Sequence, residues 1–64
     1  MDDSTRKTVL EAIKKAIITE LRGYEIYKAA AERATDPNAK MMFNKLADDE
    51  NCHKAFLEKN FKSI

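Results

Sequence analysis

Three side chains in this sequence could bind a metal ion: Glu20, Glu50 and His53. Glu50 and His53 are three residues apart, so on a helix they would share one face. Carboxylate oxygens combined with an imidazole nitrogen suit iron or manganese, and such a set needs no thiolate ligand. A metal site is therefore expected if the fold brings Glu20 to the face that Glu50 and His53 share.

A single turn signal divides the chain into two predicted helices. This signal is the segment Thr-Asp-Pro-Asn at residues 35–38. Aspartate is a good N-cap, and the proline that follows it is favoured at the first position of a helix. We expect a first helix over about residues 4–34, capped by Asp3 or Ser4, and a second helix over about residues 37–61. One glycine and one proline among 64 residues also favour an all-α fold, since β-structure needs more of both for its turns.

Apolar residues recur in both predicted helices at alternating steps of three and four, which indicates a stripe for burial against other helices. The first stripe contains Leu10, Ile13, Ile17, Glu20, Tyr24, Tyr27 and Ala31. The second stripe contains Ala39, Phe43, Leu46, Glu50, His53 and Leu57. A two-helix hairpin cannot cover both stripes alone. We therefore expect two copies to pair as a four-helix bundle.

The three polar residues of the stripes fall in one layer of such a hairpin, because Glu20 lies about as far from the turn as Glu50 and His53 do. An unpaired buried carboxylate costs several kcal/mol, so one bound metal would explain all three. A two-fold dimer would double the set to four glutamates and two histidines, which resembles the donor set of a di-iron carboxylate bundle. The alternative is that these residues only fix the register or the oligomeric state.

Tyr24 and Tyr27 follow Glu20 along the first stripe and are candidate catalytic residues. A phenol there could donate a hydrogen bond to a ligand carboxylate or supply an electron, and Tyr27 is the preferred candidate. The alternative is a pair of core tyrosines whose hydroxyls bond elsewhere. Gly23 costs about 1 kcal/mol relative to alanine inside a helix. It is either tolerated or the mark of a close helix approach.

Length and composition indicate how the chain could be stabilised, where it is located and which partners it lacks. A lone domain of 64 residues buries little surface, and with a single cysteine it has no intrachain disulfide. A metal ion or self-association is then the expected source of stability. No apolar run suits a membrane span or a signal peptide, so we expect a cytoplasmic protein without a membrane partner. Basic and acidic residues are interspersed, which disfavours binding to nucleic acid.

Residues 16–27 (AIITELRGYEIY) and 43–53 (FNKLADDENCH) resemble the two helices of a rubrerythrin-type, ferritin-like half-domain. The resemblance implies an antiparallel hairpin that dimerises into a ferritin-like four-helix bundle. It also implies a non-haem di-iron centre shared between two chains. By the same resemblance Glu20, Glu50 and His53 are metal ligands, and Glu50 is the better candidate for a bridging carboxylate.

The sequence also departs from that family's pattern. Rubrerythrins carry two hairpins in one chain and a rubredoxin-like module with paired CxxC ligands, which Cys52 alone cannot form. The closer resemblance is to encapsulated-ferritin-like proteins, which have one hairpin per chain, build the iron site across a dimer and usually carry a C-terminal tail that directs them into a protein shell. Because this sequence stops at Ile64, we expect either a missing C-terminal extension or a protein that works without a shell.

The function that the resemblance implies is ferroxidase activity, with Fe(II) oxidised by oxygen or peroxide in a homodimer or higher homo-oligomer. Whether iron is stored, and whether a shell protein encloses this protein, both stay open. Manganese is an alternative metal. Two other functions stay open: rubrerythrin-like peroxide reduction, and a metal-independent helical dimerisation module in which the polar residues only set the pairing.

Overall fold

The computed structural model describes all 64 residues and contains two helices packed against each other as a hairpin. Helix α1 spans Asp3–Arg33 and helix α2 spans Pro37–Ser63, with no strand. The predicted all-α hairpin is confirmed. The predicted boundaries agree to within two residues, the largest difference being the end of α2, which continues to Ser63. The molecule is elongated, measuring 51 × 14 × 11 Å along its principal axes.

Each helix begins after an aspartate cap. The Asp36 side chain accepts a hydrogen bond from the backbone amide three residues later, at 3.1 Å, as predicted. At the start of α1 the predicted cap is wrong, because Asp2 rather than Asp3 or Ser4 accepts from the Thr5 amide, at 2.7 Å. Asp3 and Ser4 already lie inside the helix, so neither has the extended backbone that an N-cap requires.

The turn between the helices is closed by Lys40, whose Nζ donates to the Ala31 carbonyl oxygen at 2.7 Å. Carbonyl groups in the last turn of a helix lack partners within the helix, and a cation there also offsets the negative end of the helix dipole. This side chain from α2 therefore stabilises the end of α1 and holds the two helices together near the turn.

The interface between the helices is narrow and built on small residues. Ala31 and Ala47 are the only buried residues, and the larger members of both stripes are half-buried at most. The large apolar side chains that remain exposed are Met1, Ile18, Leu21, Ile26, Met41, Met42 and Phe56. One hairpin thus leaves much apolar surface in water. Neither helix has an apolar stretch sufficient to cross a bilayer.

Candidate metal centre

Two contacts between the helices fix their register beside the candidate site. The Tyr27 and Phe43 rings stack with centroids 6.4 Å apart and an angle of 22° between their planes. Lys28 Nζ donates to Asn44 Oδ1 at 3.3 Å. Because the helices run antiparallel, a step of about two turns back along α1 and forward along α2 from these contacts reaches Glu20 and its partners.

At that level the structure brings together all three candidate ligands. One donor atom from each of Glu20, Glu50 and His53 lies within 4.8 Å of the others. His53 Nδ1 is 3.4 Å from Glu20 Oε2. The Glu20 side chain is 23% exposed and that of His53 is 62% exposed, so the cluster extends from the helix interface to the surface. These are the donor types and the spacing that a bound divalent cation requires.

The carboxylates of this cluster are poorly compensated by the protein itself. Glu20 Oε2 is buried and has no hydrogen-bond partner, even though His53 Nδ1 is its neighbour. The pKa of Glu50 is raised, chiefly because the protonated form can hydrogen-bond to the Glu20 side chain, and further by desolvation and by the negative charge of Glu20. A nearby cation would satisfy the orphaned oxygen and remove the repulsion between the carboxylates. The residues present therefore fit a metal ion.

The two tyrosines predicted as catalytic lie on the same stripe as Glu20. Tyr24 and Tyr27 are both half-buried, and neither hydroxyl forms a hydrogen bond within the chain. The ring of Tyr27 packs on Phe43, which gives it a structural role as well. Their catalytic role stays a prediction.

Gly23 contacts the candidate site, and the sequence left its role open. A Cβ atom at this position would lie 2.9 Å from Glu50 Oε2. The glycine therefore does mark a close approach, but the approaching group is a side chain of the cluster rather than the backbone of α2. Its position three residues after Glu20, as the only glycine of the chain, is the signal in the sequence that pointed to it.

The comparison with protein families agrees with this geometry. A family model described as Rubrerythrin matches residues 11–64, a span that holds all three candidate ligands and both tyrosines. This chain belongs to the rubrerythrin family. No curated protein and no solved structure matches the chain significantly.

Membership of the rubrerythrin family indicates a ferritin-like, di-iron protein of the oxidoreductase type. It implies iron binding, and the cluster of Glu20, Glu50 and His53 could hold a metal ion.

Proposed function

We propose that this rubrerythrin-family protein is a di-iron ferroxidase whose centre forms between two chains. The observation that carries the proposal is the convergence of the donor atoms of Glu20, Glu50 and His53 within 4.8 Å, around a carboxylate oxygen that lacks a partner. Two copies related by a two-fold axis would supply four carboxylates and two imidazoles, the donor set of a ferritin-like di-iron bundle.

Two features of the hairpin support pairing with a second copy. The imidazole of His53 is largely exposed in the single chain, so one side of the cluster remains open. Large apolar side chains such as Ile18, Leu21 and Phe56 are exposed as well, and apolar surface of this kind is typical of an interface. We propose that a second chain covers both. An encapsulating shell protein and a cytoplasmic location stay predictions from the resemblance and the composition.

In this proposal Fe(II) is the substrate, and two adjacent ions supply the two electrons that reduce oxygen or peroxide. Glu20 and Glu50 would hold the ions through anionic oxygens, which stabilise the higher oxidation state over Fe(II). His53 would donate an imidazole nitrogen. Tyr27 and Tyr24 are the proposed residues lining the site.

Iron loading under anaerobic conditions tests the proposal. About one Fe(II) per chain is expected in the wild-type protein, and Glu50→Ala should lose it. Asp48→Ala is the matched control, because Asp48 is an exposed carboxylate on the same helix. A wild-type protein that binds no iron, or a Glu50→Ala variant that binds as well as the control, would contradict the proposed centre.

Peroxide reduction is the second candidate function, and the match to the Rubrerythrin model favours it. The loaded protein should be mixed separately with oxygen and with hydrogen peroxide, and the rate of Fe(II) oxidation followed by absorbance. Rapid oxidation by oxygen supports ferroxidase activity. Oxidation by peroxide alone would assign the protein to peroxide reduction instead.

A metal-independent dimerisation module is the third candidate, and the exposed apolar side chains favour it. It predicts a dimer whose melting temperature is the same with Fe(II), with Mn(II) and with chelator. A ligand that binds only the native state must instead raise the melting temperature.

A further inference from the structure

We propose that Gly23 is a positioning residue of the metal centre, because its missing side chain is the space in which the Glu50 carboxylate lies. This inference rests on the proposed metal centre. Gly23 would bind no metal itself but would determine where the Glu50 carboxylate can lie.

The space above Gly23 is filled by the Glu50 side chain. An ideal Cβ atom on Gly23 would lie 2.9 Å from Glu50 Oε2, 3.1 Å from Cδ and 3.4 Å from Cγ. The first distance is shorter than real Cβ contacts, the second is tight, and the third is at the limit of ordinary van der Waals contact. The end of Glu50 therefore packs directly onto the backbone of α1, one turn after Glu20.

The backbone gives no other reason for a glycine at this position. Gly23 lies inside α1, and no glycine of the chain has a positive φ. Every residue type can adopt this helical conformation, and glycine is among the poorest helix formers. The reason for glycine here is therefore space for a neighbouring side chain rather than backbone freedom.

Alanine at this position should displace the carboxylate and leave the fold intact. The atoms that a Cβ would meet belong to the flexible end of Glu50, which can rotate away while both helices stay in place. Rotation would carry the carboxylate out of the cluster in which the donor atoms of Glu20, Glu50 and His53 lie within 4.8 Å. Gly23→Ala thus moves the Glu50 carboxylate while all three candidate ligands are still present in the chain.

A double-mutant cycle in metal-free protein tests the contact. Gly23→Ala should raise the melting temperature by about 4–8 °C in a Glu50→Ala background, where only helix propensity acts. In the wild-type background the rise should differ from this value, because the Glu50 carboxylate must leave its place on Gly23 and beside Glu20. Ala29→Gly, on the exposed side of α1, measures the intrinsic difference between alanine and glycine in this helix. Equal rises in the two backgrounds would overturn the inference.

Titration with Co(II), whose visible absorption reports ligand geometry, tests the positioning role. We expect Gly23→Ala to weaken Co(II) binding about tenfold or more and to change the absorption spectrum. If Gly23 affects only stability, Gly23→Ala will change the melting temperature but leave the Co(II) spectrum as in the wild type. That result would refute the positioning role. If the wild-type protein binds no Co(II), the proposed centre itself fails, whereas wild-type binding with an unaltered Gly23→Ala spectrum refutes only the role of Gly23.

Discussion

Replacing His53 with alanine should abolish the stabilisation of the protein by metal and leave its metal-free stability almost unchanged. The reason lies in the position of the imidazole. It is 62% exposed, and its charged neighbour, Glu20 Oε2, is 3.4 Å away without a hydrogen bond. The side chain therefore contributes little to packing within the hairpin, but it is one of three donors in the proposed centre.

The expected effect of His53→Ala on the metal-free protein is much smaller than its expected effect on the stabilisation by metal. Exposed ion pairs and substitutions at the surface change the free energy of unfolding by about 0.5 kcal/mol, which is about 2–4 °C for a domain of this size. A metal at a hundredfold its dissociation constant stabilises the wild-type protein by about 2.7 kcal/mol, or about 10–20 °C. If the substitution weakens binding about a hundredfold, the same metal concentration adds only about 0.4 kcal/mol to the variant.

Thermal unfolding followed by far-ultraviolet circular dichroism measures both quantities, with chelator and with Mn(II) or anaerobic Fe(II). Asn51→Ala is the matched control, because Asn51 is an exposed polar residue on the same helix. It should melt like the wild type in both conditions. The reasoning is refuted if His53→Ala keeps the full metal-dependent rise. It is equally refuted if the metal-free variant melts about 10 °C or more below the control, since that would make His53 a structural residue.

Three further substitutions test individual contacts of the hairpin. Asp36→Ala removes the cap of α2 and should cost about 1 kcal/mol, seen as a melting temperature about 4–8 °C lower; an unchanged value would show that the cap is dispensable. Ala47→Leu enlarges a side chain with no exposed surface and should cost about 1–3 kcal/mol by urea denaturation, whereas an unchanged midpoint would contradict close helix packing. A hydrogen bond from Lys54 holds the pKa of Glu58 below its ordinary value of 4.5. The ionised Glu58 side chain therefore stabilises the fold above pH 4.5, and this stabilisation is lost as the pH falls through the lowered pKa. Lys54→Met should raise the pKa of Glu58 towards its ordinary value in an NMR titration of the carboxyl group, and an unshifted titration in the wild type would contradict the pairing.

Local signals in the sequence are enough to predict the two helices, the turn and the three candidate ligands. These features depend on local signals: a proline that follows a capping aspartate at Asp36, and apolar stripes with a helical period. The position of the turn also sets which residues face each other across an antiparallel hairpin. For that reason the sequence predicts that Glu20 lies beside Glu50 and His53.

The close contacts between the helices depend on how the two helices pack, and the sequence does not predict which residues form them. Ala31 and Ala47 are buried, whereas the larger residues of the apolar stripes are only half-buried. The stripes do not predict this difference, because a helical period shows which side of a helix a residue is on but not how near the other helix comes to it. The structure likewise decided that Glu50 lies on Gly23 and that Glu20 Oε2 has no partner. Both facts depend on how near the two helices come and on the rotamers chosen there, and a spacing along the chain specifies neither.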